Sequence, residues 1–461
     1  MMVISSGLVR LEQAVSERPR PAQRPPRASV RRFNIIREAT TPSWVEVHRS
    51  DWAMIASDAM DPSFRRAYNA AFTPELYRTY LGNLESKLGC PIPFRVAETP
   101  LFIPLELRDS LARAANEIVA QISAPALIEK MKRAIPPHLD VPGMDALPNC
   151  TQVDFAITRG ADGKLEGKVV ELQAFPSLYA LMVIQSEVLA ESIRSIPGLE
   201  RSWSIYFGGL DRAEFVKRLE RAVLAGEDPE SVVLLDLDPP AQKTYPDFVA
   251  TKQLLGVDAV CPTTLVREGR RLFRQKDGRV VQVKRIYNRI VFDELQVKKV
   301  ALPFSYTDDL DVSWCSHPNW YWTWSKYTLP FIDHPAVPRA RYVSDLDTIP
   351  DDMERFVLKP LFSFAGSGVK VDPTAADVEA IPVEERAQWI LQEKIVYEPA
   401  LPMPDGSGVK AEVRMMFLRA PDEARPQLVL NLVRLSRGKM LGVDQNKDLT
   451  WVGGTVGIWP T

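Results

Sequence analysis

A lysine closes the apolar run Phe356-Val357-Leu358-Lys359-Pro360, and a loop of mostly small residues, Ser363-Phe364-Ala365-Gly366-Ser367-Gly368-Val369, comes soon after. A lysine at a strand end fixes an ammonium in space. Small residues beyond it let backbone N–H groups approach phosphates. No Gly-Lys-Ser/Thr follows, so this is not a Walker A loop. A plain glycine turn in a hairpin would read the same way. Further on, Trp389-Ile390-Leu391-Gln392-Glu393-Lys394-Ile395 is an apolar strand interrupted by Gln-Glu. It can present backbone donors and acceptors to a base edge, or it can be an edge strand with a polar end.

A second group lies upstream. Asp154 sits in the strand-like run Thr151–Thr158, and Glu171 and Gln173 both sit in Lys168–Gln173. Between them, Arg159-Gly160-Ala161-Asp162-Gly163 is a turn. The pair reads as a hairpin. Strand alternation sends Glu171 and Gln173 to one face, and the hairpin brings Asp154 near them. Such oxygen donors suit Mg²⁺; an exposed polar face is the plainer reading.

These segments resemble the ATP-grasp superfamily. The strand ending in Lys-Pro, the glycine loop and the later Gln-Glu-Lys-Ile look like its nucleotide half. Lys326, after the aromatic run Trp320-Tyr321-Trp322-Thr323-Trp324, matches the second lysine. The aromatic run walls an adenine pocket or belongs to the core. The Asp154, Glu171 and Gln173 hairpin looks like the family's magnesium hairpin, with Gln173 where asparagine is usual. Hairpin first and lysines last resembles the circularly permuted members, of which glutathionylspermidine synthetase is the best-known type. The resemblance covers about residues 145–461.

It implies a carboxylate–amine ligase that uses ATP and Mg²⁺. Lys326 and Lys359 would hold phosphates, and Ser363, Ala365, Gly366, Ser367, Gly368 and Val369 would close over them. Gln392, Glu393 and Ile395 would border adenine. Asp154, Glu171 and Gln173 would bind Mg²⁺. Arg289, Arg414 and Arg434 would stabilise the transferred phosphoryl group. The partners would be a small carboxylic acid and an amine. A kinase of the same fold and an inactive nucleotide-binding scaffold are the alternatives. The bifunctional members' amidase is not expected, because Cys90, His48 and His138 share no motif.

The rest of the chain must position these residues. The expected fold class is α/β (α+β), a circularly permuted ATP-grasp fold with an open α/β layer and a helical N-terminal region. Residues 1–32 contain the Pro/Arg-rich stretch SERPRPAQRPPRASVRR and read as a flexible tail. Residues 33–145 are mainly helical, with Leu111, Ala114, Ala115, Ile118, Val119 and Ile122 marking one buried face of a helix over Leu107–Ile135. Residues 146–230 hold the hairpin and a helix over Leu178–Ile196. Residues 231–300 hold the open layer, where Val232–Leu237, Phe248–Leu255 and 256–260 form a βαβ unit. Residues 301–461 hold the lysine and glycine-loop half.

Composition limits the alternatives. Of 461 residues, 57 are Lys or Arg and 59 Asp or Glu, a net charge of -2. That excludes a globally basic, nucleic-acid-coating protein. Four cysteines without a CxxC motif argue against a structural zinc site and a disulfide framework. No apolar run reaches the ~18 residues of a membrane helix, and the first residues do not form a signal peptide. A cytoplasmic enzyme with no membrane or nucleic-acid partner is expected.

Overall fold

Apolar alternation, turn residues and prolines set the elements that carry the site. A computed structural model of the chain describes residues 61–461 apart from 291–294, 296–297, 363–367, 439–445 and 447–448. The tail predicted over residues 1–32, the start of the helical region, and Ser363, Ala365, Gly366 and Ser367 of the glycine loop lie outside the described residues.

The helical period over Leu107–Ile135 resolves into two helices, Leu105–Ile122 and Pro125–Met131, followed by a 3₁₀ turn at Lys132–Ala134. The correction has a simple cause. Pro125 has no N–H to continue the first helix and occupies the first turn of the second. Leu107, Leu111, Ala115, Ile118, Val119 and Ile122 are buried along the first helix, each worth up to a few kcal/mol of apolar burial according to size.

The largest sheet builds the floor of the site. Its main path runs Gly453–Thr455, Gln427–Ser436, Gly408–Leu418, Cys150–Arg159, Leu165–Gln173, every neighbouring pair antiparallel. The predicted hairpin is its last two strands. Helix Leu105–Ile122 lies against this hairpin where Gly167 leaves room. A Cβ there would sit 2.4 Å from Leu111 Cδ2 and 2.9 Å from Phe155 Cδ1. Gly167→Ala is therefore expected to destabilise by about 1–3 kcal/mol through overpacking. Urea unfolding reads this directly, and an unchanged midpoint would mean the helix yields freely.

The predicted βαβ unit belongs to an open parallel sheet of order Ser313–Cys315, Arg285–Asn288, Val232–Leu235, Asp258–Val260. From Val232–Leu235 the chain first goes to one side, through helix Tyr245–Leu255, and later returns to the other. The order thus reverses between Val232–Leu235 and Arg285–Asn288. Ligands of open α/β sheets bind at the carboxyl ends of strands at such a point. A third sheet pairs Trp389–Glu393 with Ala340–Tyr342 on one side and Phe356–Pro360 on the other. No helix among the described residues is long and apolar enough to cross a membrane.

Candidate functional site

The register of the large sheet gathers five charged side chains. Asp154 lies opposite Glu171 on one side and Arg414 on the other, and Glu412 lies opposite Arg434. Residues two apart on a strand share a face, so Glu412 and Arg414 point the same way. Arg414 donates to Asp154 through both arms of its fork, Nε to Oδ1 at 2.6 Å and Nη2 to Oδ2 at 2.7 Å. Arg434 donates to Asp154 and to Glu412. The other oxygen of Glu412 accepts from the Tyr397 hydroxyl at 3.1 Å. Asp154, Glu412 and Arg414 are buried.

Burial alone raises a carboxyl pKa. At Asp154 the two guanidinium groups outweigh it, and the pKa falls below the ordinary value. At Glu412 burial wins, helped by the charge of Asp154 and only partly opposed by Arg434, and the pKa rises. Burial lowers the Arg434 pKa, but Glu412 and Asp154 raise it more.

The lysines reach this face from the third sheet. The hairpin ladder skips a residue: Asp154 pairs with Glu171, but Phe155 pairs with Val169. Val170 is therefore bulged, and its carbonyl is turned out of the regular ladder. Lys359 Nζ donates to that carbonyl at 3.3 Å and to Gln392 Oε1 at 2.6 Å. Gln392 reaches Lys359 diagonally, since Lys359 pairs with Ile390 and Gln392 with Val357. Lys326 begins the 3₁₀ turn Lys326–Phe331, capped by Ser325, and its Nζ stands 3.7 Å from Glu171 Oε1. Burial pulls the Lys359 pKa down to about 8. Glu171 raises it, Lys326 lowers it further, and Glu412 raises it weakly. Buried cations from one side thus face carboxylates from the other, an arrangement suited to an anion with several oxygens.

The structure brings Lys326, Lys359, Gln392, Asp154, Glu171, Arg414 and Arg434 into one region, with Gln173 beside Glu171. It leaves others outside. Glu393 closes the strand edge at residue 339: its backbone N–H meets the Arg339 carbonyl at 2.9 Å, and its side chain accepts from the Arg339 N–H at 3.2 Å. Its side chain thus meets the backbone of Arg339. Ile395 lies just past that strand and is half-buried. Gly368, at φ 73°, ends the glycine loop, where a Cβ would press within 3.1 Å of Pro360. Beyond Val369, Lys370 returns to pair with Leu358 on the lysine strand. Trp320, Trp322 and Trp324 are buried, so these three indoles belong to the core.

Arg289 stands apart from the other arginines. It follows Arg285–Asn288 at the point where the open sheet reverses order, and its backbone N–H bonds the Leu235 carbonyl at 2.9 Å. Its guanidinium lies over Phe175 and Phe248 at 5.2 and 5.6 Å. Nη2 reaches Thr244 Oγ1 at 3.4 Å, while Nε and Nη1 are buried without a hydrogen-bond partner among the described residues. Phe175 is two residues past Gln173, so this arginine flanks the hairpin end. Nearby Asp247 accepts from the N–H groups of Leu178 and Leu181, both at 3.0 Å, at the start of helix Tyr179–Ile193.

The expected magnesium set fits only in part. Both oxygens of Asp154 are held by arginines, so it is not free to ligate a cation. Glu171 is about one-third exposed, and the Gln173 amide nitrogen leans toward it, leaving the amide oxygen as the donor end. Among the described residues no group of three or more His, Cys, Asp or Glu side chains is placed to hold a metal ion. Sequence reasoning missed Tyr397 and the Val170 bulge. Neither carries a local signal. Glu412, in the run Glu412-Val413-Arg414, reads from the sequence as a candidate for phosphate-side contacts; in the structure it meets Arg434 and Tyr397.

No protein-family model matches the chain, and no curated protein matches it. Among solved structures it is similar to a glutathione synthetase-like effector (GSS30) from Globodera pallida in its apo form. The TM-score is 0.53 at 11% sequence identity, and the match covers 85% of this chain and 98% of that one. At this identity the likeness speaks for the fold alone, a mixed α and β fold of glutathione synthetase-like type.

Proposed function

We propose that this chain is an ATP-dependent carboxylate–amine ligase of the circularly permuted ATP-grasp kind. The observation that carries the reading is the meeting of Lys359, Lys326 and Glu171. They come from the third sheet, a 3₁₀ turn and the hairpin, and Lys359 reaches a hairpin carbonyl 189 residues away in sequence. The glutathione synthetase-like fold agrees with it.

In this reading the acid substrate's carboxylate oxygen attacks the γ-phosphorus of ATP, the bond to the β-phosphate oxygen breaks, and ADP leaves. The amine nitrogen then attacks the acyl carbon, phosphate leaves, and the amine gives up a proton to form the amide. Lys326 and Lys359 hold phosphate oxygens and offset their charge. Arg414 and Arg434 act at one remove, as members of the neutral cluster under the hairpin. Arg289, with two nitrogens lacking an acceptor among the described residues, meets the acid substrate's carboxylate. A divalent ion bound beside Glu171 would supply charge neutralisation to the phosphates.

Calorimetric titration of Mg·ATP into the purified protein tests the nucleotide half. Saturable binding that Lys359→Ala loses is the expected result, and ADP release with acid and amine pairs then tests ligation. Equal binding by both proteins would show that the nucleotide does not sit on Lys359. A second reading, nucleotide binding without turnover, is favoured by one observation, the engagement of Asp154 by two arginines. ATP binding without ADP release for any acid and amine pair would support it.

A further inference from the structure

We infer that this site takes one divalent ion, held by Glu171, and that Asp154 is not a metal ligand. The inference rests on the nucleotide reading above and concerns what this chain's own donors can do.

Three carboxylates meet in this group, Asp154, Glu412 and Glu171, and they are not equivalent. Asp154 is fully buried and gives both oxygens to guanidinium groups. To ligate a cation it would have to leave two arginines unpaired in the interior, which is strongly unfavourable. Glu412 gives one oxygen to Arg434 and the other to the Tyr397 hydroxyl. Asp154 and Glu412 carry two negative charges, Arg414 and Arg434 two positive ones, and the four cancel within a closed cluster. Every carboxylate oxygen of that cluster already accepts a hydrogen bond from within it.

Glu171 is different. It is about one-third exposed, its nearest cation is Lys326 at 3.7 Å, and the Gln173 amide lies beside it. Mg²⁺ needs near-octahedral oxygen ligation. It is usually held by one or two carboxylates together with phosphate oxygens and water. Among the described residues of this group Glu171 is the accessible carboxylate, and one carboxylate supports one ion. The charge that a second ion would bring falls to Lys326 and Lys359.

Mn²⁺ in place of Mg²⁺ makes the count measurable. The protein is saturated with a non-hydrolysable ATP analogue, with no free analogue in excess, and titrated with Mn²⁺ while free Mn²⁺ is followed by electron paramagnetic resonance. One Mn²⁺ per chain is expected. Glu171→Gln should weaken its binding at least tenfold, and Asp154→Asn should leave the count at one. Two Mn²⁺ per wild-type chain would overturn the inference, as would loss of the ion in Asp154→Asn with retention in Glu171→Gln. If Asp154→Asn does not fold, the wild-type count and Glu171→Gln still decide. Failure of the analogue to bind, seen by calorimetry beforehand, would instead overturn the nucleotide reading and this inference with it.

Discussion

Asp154→Ala is expected to destabilise the folded chain by about 3–5 kcal/mol, the range for removing one partner of a buried ion pair. The side chain is fully buried and accepts from both arms of Arg414 and from Arg434. Its loss leaves Arg414 without a counter-charge in the interior, while Arg434 keeps Glu412. The asymmetry predicts the outcome of a double variant. Asp154→Leu combined with Arg414→Met removes both charges and should recover most of the lost stability, because apolar replacement of a whole buried pair is often neutral or stabilising. Urea midpoints of wild type, Asp154→Leu, Arg414→Met and the double variant close the cycle. A single variant within about 1 kcal/mol of wild type would mean the pair is far better solvated than its burial indicates.

Lys359→Met is expected to lose nucleotide affinity by about 10- to 100-fold, the worth of a charge-assisted hydrogen bond. The same substitution should change how stability depends on pH. The folded-state pKa of Lys359 is lowered to about 8 from an ordinary 10.5, first by burial. Between those values the unfolded chain holds the proton and the folded chain has released it, so wild-type stability rises with pH across this window. The rise is on the order of 3 kcal/mol. It is absent below pH 8, where both states are protonated. The difference between wild type and Lys359→Met cancels the other titrating groups. Parallel stability curves from pH 7.5 to 10 would remove the case for a buried ammonium. Phosphates restore the charged form, so nucleotide binding near pH 9 should take up close to one proton, visible as a buffer-dependent binding enthalpy.

Local rules made part of this site legible. The hairpin followed from two strand-like runs around Arg159-Gly160-Ala161-Asp162-Gly163, and the βαβ unit from its apolar strand and helix. Lys359 and Gln392 were both singled out, and what the sequence did not show is that the lysine donates to the Gln392 side chain. The two arginines were harder. Arg414 and Arg434 read as free phosphoryl-binding groups because nothing local brings them to Asp154, 260 and 280 positions earlier. Cross-strand register between distant segments is set by the packing of the whole sheet, and a one-residue slip would send each to the other face. The break at Pro125 is the opposite case. The signal was local and stronger than the apolar period that masked it.

The bulge at Val170 gives the hairpin an unusual sensitivity to length. Its strand carries one residue more than its partner needs, and the surplus peptide supplies the carbonyl that Lys359 meets. Deleting Val170 would let the ladder close with Asp154 still opposite Glu171, the turn intact and no apolar contact of Phe155 or Leu172 lost in principle. In an alignment of relatives such a change would appear as a trivial one-position gap in a surface-side strand. Physically it would remove the socket of the lysine while sparing every charged side chain around it. Descendants of this chain could therefore part ways in chemistry through an indel, with all their site residues still in place.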